Sequence, residues 1–352
     1  MDPSPTSRRH FLRIAARPAA LAAQPELPAP TAPDPYFVEL RRRAMACEFE
    51  LFLNAGQHEA AVETALGAFD LLETLEAQLT VYRETSELLE INRSAAAGPV
   101  VVEQRLFTLL ELAQGLFRAT GGAYDITSGP LSKVWGFSRR AGAIPDKATL
   151  GQALARVGGD AVELDAERQT VRFTRPGVEL NLGSIGKGYA LDRCQELMTA
   201  GGVGDFLWHG GQSSVLARGS AAGTTAGWTV GLRHPLRDER RLAEIRLVDQ
   251  ALSTSGSGVQ FFRHQGKRYG HILDPRTGWP AEGMFSSTVI APTAAEADAL
   301  STAFYVLGVE RTLEYCEGRP EIGVILLYPS VSGSTIELAC ANLDDERWKL
   351  ME

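Results

Sequence analysis

The stretch "SSTVIAPTAAEADALSTAFYVLG", Ser286 to Gly308, reads as a strand followed at once by a helix. "SSTVIAP" is rich in β-branched residues, the pattern of a strand. Thr293 and Glu296 have capping-box spacing, which starts a helix directly after it. Gly308 is placed to end that helix. Inside, Asp298 and Thr302 stand four apart, so both oxygens project from one helical face. A carboxylate and a hydroxyl so placed can hold a hard cation, with water, a carbonyl and a substrate phosphate completing the shell. The same pair also suits a solvated helix surface.

Working outward, "NLGSIGKGYALD", Asn181 to Asp192, is close to a phosphate-gripping loop without being a Walker A loop. Gly188 stands where that motif needs a hydroxyl after its lysine to hold magnesium. A helix is expected to start within Gly186–Ala190 and to run to Gly201. If Gly186 lies where backbone oxygens remain free before that helix, its carbonyl is a third metal ligand, with Lys187 as a countercharge to phosphate. The alternative is a tight turn with a solvated lysine. "STSGSG", from Ser253, reads as a Ser/Thr/Gly loop whose hydroxyls and amides could receive phosphate oxygens. In "HILDPRTG", His271 and Asp274 flank a strand end where Pro275 forces a turn. His271 suits a general base near neutral pH, or a structural role.

The rest of the chain sets the fold class. "FVELRRRAMACEFELFL" reads as a strand, and "AVELDAERQTVRFT" as a hairpin. Helical spacing marks "EAAVETALGAFDLLETLEAQL" and "EQRLFTLLELAQGLFRAT". Further strand patterns are "DFLWHGG", "WTVGLRHP", "LAEIRLV", "IGVILLYP" and "TIELACA". Helices and strands mix without strict alternation, which predicts an α+β fold.

Composition narrows the function. With 352 residues and 44% hydrophobic content the chain can bury a sizeable core. A net charge of −8 argues against nucleic acid as the partner. The four cysteines, Cys47, Cys194, Cys316 and Cys340, form no C-x-x-C pair, which argues against a zinc or redox motif. No apolar run approaches the roughly 20 residues that span a bilayer. At the amino terminus, "SRRHFLR" resembles the twin-arginine export motif, although Arg17 and Pro18 interrupt the apolar segment after it. Residues 1–35 are therefore expected as an export signal and linker, which places the protein in the periplasm or on the outer membrane face. The other reading is a basic tail on a cytoplasmic protein. The folded part is expected over 36–352.

Eight blocks in this order resemble the ApbE family of FAD:protein FMN transferases. They are "AMACEFELFL", "LTVYRETSELLEIN", "GGAYDITSGPLSKVWGF", "NLGSIGKGYALD", "GGQSS", "STSGSG", "RYGHILDPRTG" and "ADALSTA". The resemblance implies a T-fold-like, two-lobed α+β architecture with FAD in the cleft. It also implies magnesium-dependent transfer of FMN from FAD to a Ser or Thr hydroxyl of a target protein, with AMP released. By motif, Asp298, Thr302 and the Gly186 carbonyl correspond to metal ligands. Met45, Tyr82, Ala123, Tyr124 and Asp125 match positions that contact the flavin nucleotide, and Gly183, Lys187 and His271 fall around its pyrophosphate. His271 and Asp298 are the catalytic candidates. The implied acceptor is a subunit of a membrane electron-transport complex, with membrane contact only through that acceptor. Asn181 stands where the family usually has Asp, "MAC" replaces Met-Gly-Thr, and Gln212 follows Gly-Gly in place of an acid. An FAD pyrophosphatase and a non-catalytic FAD-binding assembly factor are the alternatives.

Overall fold

The computed structural model describes residues 10–14, 37–139, 141–256, 258, 260–330, 335–344 and 346–351. The Arg8–Arg9 pair and the Pro-rich stretch before residue 37 lie outside the described residues. Strand β1 (His10–Ile14) falls within the stretch expected as signal and linker. Next come β2 (Phe37–Ala44), β3 (Cys47–Asn54), α1 (Ala61–Leu79), α2 (Glu87–Ser94), β4 (Val100–Val101) and α3 (Gln104–Ala119). The middle of the chain holds α4 (Gly129–Val134), α5 (Lys147–Leu154), β5 (Val162–Asp165), β6 (Thr170–Phe173) and α6 (Gly186–Ala200). Strands β7 (Phe206–Gly210), β8 (Ser214–Arg218), β9 (Trp228–His234), β10 (Arg237–Leu247) and β11 (Gln250–Gly256) follow. The chain continues with β12 (Phe261–His264), β13 (Lys267–Gly270), β14 (Ser286–Ala291) and α7 (Ala294–Cys316). It closes with β15 (Gly323–Pro329), β16 (Ile336–Ala341) and β17 (Trp348–Leu350).

Nine strands form one antiparallel sheet in the order β1-β16-β15-β14-β11-β8-β7-β3-β2. Side chains alternate between its faces. Trp208, Leu216, Ala251, Val289, Val324 and Leu326 face a core shared with α1, α6 and α7. Their neighbours Leu207, Val215, Leu252, Ile290, Ile325 and Leu327 face a second core. That second core is covered by β9 and β10, which form a three-stranded sheet with β17. Burial on both faces explains why "GVILLYP" is an unbroken apolar run. The fold is α+β, as expected.

Two local readings change. "FVELRRRAMACEFELFL" is a hairpin rather than one strand: Met45 and Ala46 adopt positive φ, 49° and 61°, and turn the chain between β2 and β3. Two-residue turns of this hand favour Asn-Gly or Asp-Gly, so Met-Ala gives no sequence signal. Helix α7 does not end at Gly308. The backbone breaks there, at φ 75° and ψ −175°, and helical turns resume as far as Cys316.

Candidate active site

Helix α7 starts where expected. The Thr293 hydroxyl accepts the Glu296 N–H at 3.3 Å. Its first turns are lined with small buried residues, Ala294, Ala295, Ala297, Ala299, Ser301 and Ala303, which let the helix lie close to the sheet and to α6. Asp298 sits among them with 4% of its surface exposed. A carboxylate so buried needs partners, and it has four. Oδ1 accepts Ser214 Oγ at 3.1 Å and Ser253 Oγ at 3.0 Å. Oδ2 accepts the Gly188 N–H at 3.1 Å. The Lys187 ammonium stands 3.4 Å from Oδ2 and 3.5 Å from Oδ1.

Helix α6 begins at Gly186, as expected, and Ile185 at its N-cap supplies no side-chain cap. The first N–H groups of such a helix lack intrahelical partners and carry partial positive charge. One of them, on Gly188, therefore meets Asp298. The "NLGSIGK" turn is shaped by Asn181, whose Oδ1 accepts the N–H of exposed Gly183 at 2.9 Å.

The floor below Asp298 is made of hydroxyls. Ser253 and Ser255 were expected in a loop, but they lie in β11, at the centre of the sheet and on its helix face. Ser253 pairs with Ser214 of β8, and Ser255 with Ser287 of β14. Ser255 Oγ lies 3.1 Å from Thr302 Oγ1 and 2.9 Å from Ser301 Oγ. Thr302 also donates to the Asp298 carbonyl oxygen at 3.4 Å. Asp298 and Thr302 thus share one face and one network. Their hydroxyl partners are turned into the protein toward the carboxylate instead of lining an open loop. Ser214 and the Gly188 amide were missed from sequence. The serine spacing in "STS" was the available signal, since period two on a buried strand puts Ser253 and Ser255 on one face.

His271 follows β13. Its Nδ1 lies 3.1 Å from the Gln260 carbonyl oxygen. A carbonyl only accepts, so Nδ1 carries the proton and Nε2 of the neutral ring keeps its lone pair. Burial lowers the His271 pKa, the Gln260 bond opposes this, and the charge of Lys187 lowers it further. The ring is therefore neutral at pH 7 and within electrostatic reach of Lys187. Asp274 is engaged elsewhere, in a two-pronged pair with Arg276 at 2.8 Å for each bond.

The remaining residues named from sequence fall at varied depths. Met45 lies in the β2–β3 turn, two residues before Cys47. The Cys47 thiol is raised by burial, lowered by the charge of Lys187, and raised by those of Asp298 and Glu76. Ala123 and Tyr124 are buried at 1% exposure. Burial raises the Tyr124 phenol, with Ser184 opposing and the charges of Asp298 and Asp125 adding to it. Asp125 accepts from Thr127 N at 2.7 Å, Thr127 Oγ1 at 2.6 Å and Gly159 N at 3.0 Å, so its carboxylate pins the surrounding turns. Burial raises its pKa against those bonds. Tyr82, between α1 and α2, is 76% exposed.

Among the described residues no three His, Cys, Asp or Glu side chains cluster as metal ligands. The oxygen donors are one carboxylate, a hydroxyl and the carbonyl of Gly186, which is the first residue of α6 and does not lie free ahead of the helix. That chemistry excludes a thiolate–imidazole zinc site and suits a hard cation that takes the rest of its shell from water or phosphate. A lysine, a helix N-terminus and a buried carboxylate above a hydroxyl floor define an α+β protein built to handle a phosphate ester.

Residues 45–326 match the ApbE family. The FAD:protein FMN transferase of Treponema pallidum is 34% identical over 78% of this chain and 79% of its own length. That of Klebsiella pneumoniae is 31% identical over 79% of this chain and 85% of its own. The crystal structure of the ApbE protein from Thermotoga maritima aligns with a TM-score of 0.77 and 27% identity, covering 86% of this chain and 96% of that one. Flavin transferase ApbE from Vibrio cholerae aligns at 0.75 and 26%, covering 87% and 97%. The chain belongs to the ApbE family.

Proposed function

We propose that this protein is a transferase that moves FMN from FAD to a Ser or Thr hydroxyl of an acceptor protein and releases AMP. The observation that carries this reading is the buried Asp298 facing Lys187 at the start of α6. The names of the relatives, FAD:protein FMN transferase, support it.

In this reading Asp298, Thr302 and the Gly186 carbonyl would hold a magnesium ion. When bound, magnesium supplies charge neutralisation on the pyrophosphate. Lys187 is the mobile part of the site. It neutralises Asp298 in the free protein and turns to the pyrophosphate when FAD binds. Met45, Tyr82 and Tyr124 fall to the nucleotide. The acceptor hydroxyl oxygen attacks the FMN-side phosphorus, and the bond from that phosphorus to the bridging oxygen breaks. AMP leaves with the bridging oxygen and the electron pair. The hydroxyl proton goes to His271 Nε2, the free lone pair of a ring already neutral at pH 7.

The acceptor is a subunit of a membrane electron-transport complex, and the Arg8–Arg9 pair supports an exported protein that meets it on the outer side. No helix among the described residues is long and apolar enough to cross a membrane. In this reading, membrane contact runs through the acceptor. The test is incubation with FAD, magnesium and a candidate acceptor. The expected result is a fluorescent acceptor band with one AMP released per flavin attached. Free FMN with no fluorescent band would make the protein a hydrolase instead.

A further inference from the structure

Helices α6 and α7 cap each other. The α7 N-terminus has two N–H groups, on Ala294 and Ala295, that Thr293 does not take. Asp192 of α6 takes both, Ala294 N at 2.7 Å and Ala295 N at 2.8 Å. In return, Asp298 of α7 takes the Gly188 N–H of α6. Gly188 and Asp192 are four apart on α6, and Ala294 and Asp298 are four apart on α7, so the exchange runs along one seam. The seam is tight. A Cβ on Gly188 would stand 2.0 Å from the Ala294 carbonyl oxygen and 2.7 Å from Ala295 N. Thr293 already supplies a local cap, yet a second carboxylate is buried here at a cost that pushes its pKa to about 7, chiefly by desolvation, with the two amide bonds opposing.

We propose that Asp192 is a positioning residue for the cation site. By gripping the first two amides of α7 it fixes the register that keeps the start of α6, with the Gly186 carbonyl, opposite Asp298 and Thr302. This rests on the cation reading above. It goes beyond that reading by assigning control of the site to a residue that touches neither ion nor substrate.

The test is manganese binding to the full-length protein, followed by electron paramagnetic resonance well below the melting temperature, in wild type, Asp192→Asn and Thr293→Ala. The asparagine turns an amide N–H₂ toward one of the two N–H groups. The dissociation constant is expected to rise about tenfold, the scale on which groups behind metal ligands act. Thr293→Ala removes a cap from the same helix without touching the seam. It is expected to lower the melting temperature while leaving the constant within about twofold. An unchanged constant in Asp192→Asn, with only a lower melting temperature, makes Asp192 a structural cap and overturns the proposal. Wild-type protein that binds no manganese overturns the cation reading, and this inference with it. A measurement without variants guards against an Asp192→Asn protein that does not fold. Coupling is reciprocal, so saturating magnesium is expected to slow hydrogen exchange at Ala294 and Ala295 about threefold or more in wild type. Unchanged exchange there refutes the coupling.

Discussion

Replacing Lys187 with methionine separates its two assigned roles. In the free protein the ammonium lies 3.4 Å from Asp298 Oδ2, with 22% of the lysine side chain and 6% of the aspartate side chain exposed. At an effective dielectric constant of about 20, that separation corresponds to about 5 kcal/mol of attraction. Most of it is offset by the desolvation of two charges, which leaves roughly 1–2 kcal/mol that an incoming cation must overcome to claim the carboxylate. Methionine keeps the length and the apolar stem but removes this competitor. Lys187→Met is therefore expected to bind manganese about tenfold more tightly in the absence of FAD, since 1.4 kcal/mol is a factor of ten. It is also expected to transfer FMN at least 100-fold more slowly, because the charge for the pyrophosphate is gone. A titration followed by paramagnetic resonance reads the first effect, and flavin incorporation the second. Weaker or unchanged ion binding would refute the idea that lysine and cation compete for Asp298.

Three further predictions concern other parts of the site and its frame. His271→Gln keeps the side chain polar and removes the lone pair at the site of Nε2, so transfer is expected to fall by about 10²–10⁴-fold at pH 7.5, read as flavin attached per minute. In wild type the His271 pKa is lowered from 6.5, so the midpoint of the acid decline in rate should lie below pH 6.5. The same shift makes the neutral ring stabilising above pH 6.5, with that contribution lost as the pH falls from 6.5 through the lowered value; a rate that halves at or above pH 6.5 contradicts this base. Ser253→Ala removes one of two hydroxyl bonds to Asp298 Oδ1 and should cost about 1.5–3 kcal/mol in urea unfolding, less than additively with Ser214→Ala because they share an acceptor. Gly308→Ala meets no atom within 4 Å, so its cost is backbone strain alone. At φ 75° and ψ −175° that strain is about 1–3 kcal/mol of stability, and an unaltered unfolding midpoint would show that the break in α7 straightens freely.

The parts of this protein that could be read from its sequence are those fixed by neighbours in the chain. The α7 start was visible because Thr293 and Glu296 are three residues apart, and α6 because Gly186 and Gly201 bracket it. Asp298 and Thr302 could be paired because helical geometry alone puts them on one face. The strand order could not be read, since it pairs β3 with β7 and β11 with both β8 and β14 across long loops. The same holds for the partners of Asp298. Gly188, Ser214 and Ser253 reach it from 110, 84 and 45 residues away. Serine and threonine at 253–255 looked like a loop because hydroxyls are rare in a central strand; here an acceptor buried beneath α7 justifies them. Met45–Ala46 hid its turn because the backbone there adopts a conformation those residues seldom take.

The most direct measurement of the central claim is intact-protein and peptide mass spectrometry of candidate electron-transport subunits co-expressed with this protein. The account expects an FMN-sized mass increase on one Ser or Thr peptide with the wild type, and none when Asp298→Ala is co-expressed at equal level. An adduct that persists with Asp298→Ala, or its absence from every acceptor while FAD is still split to free FMN, would contradict it.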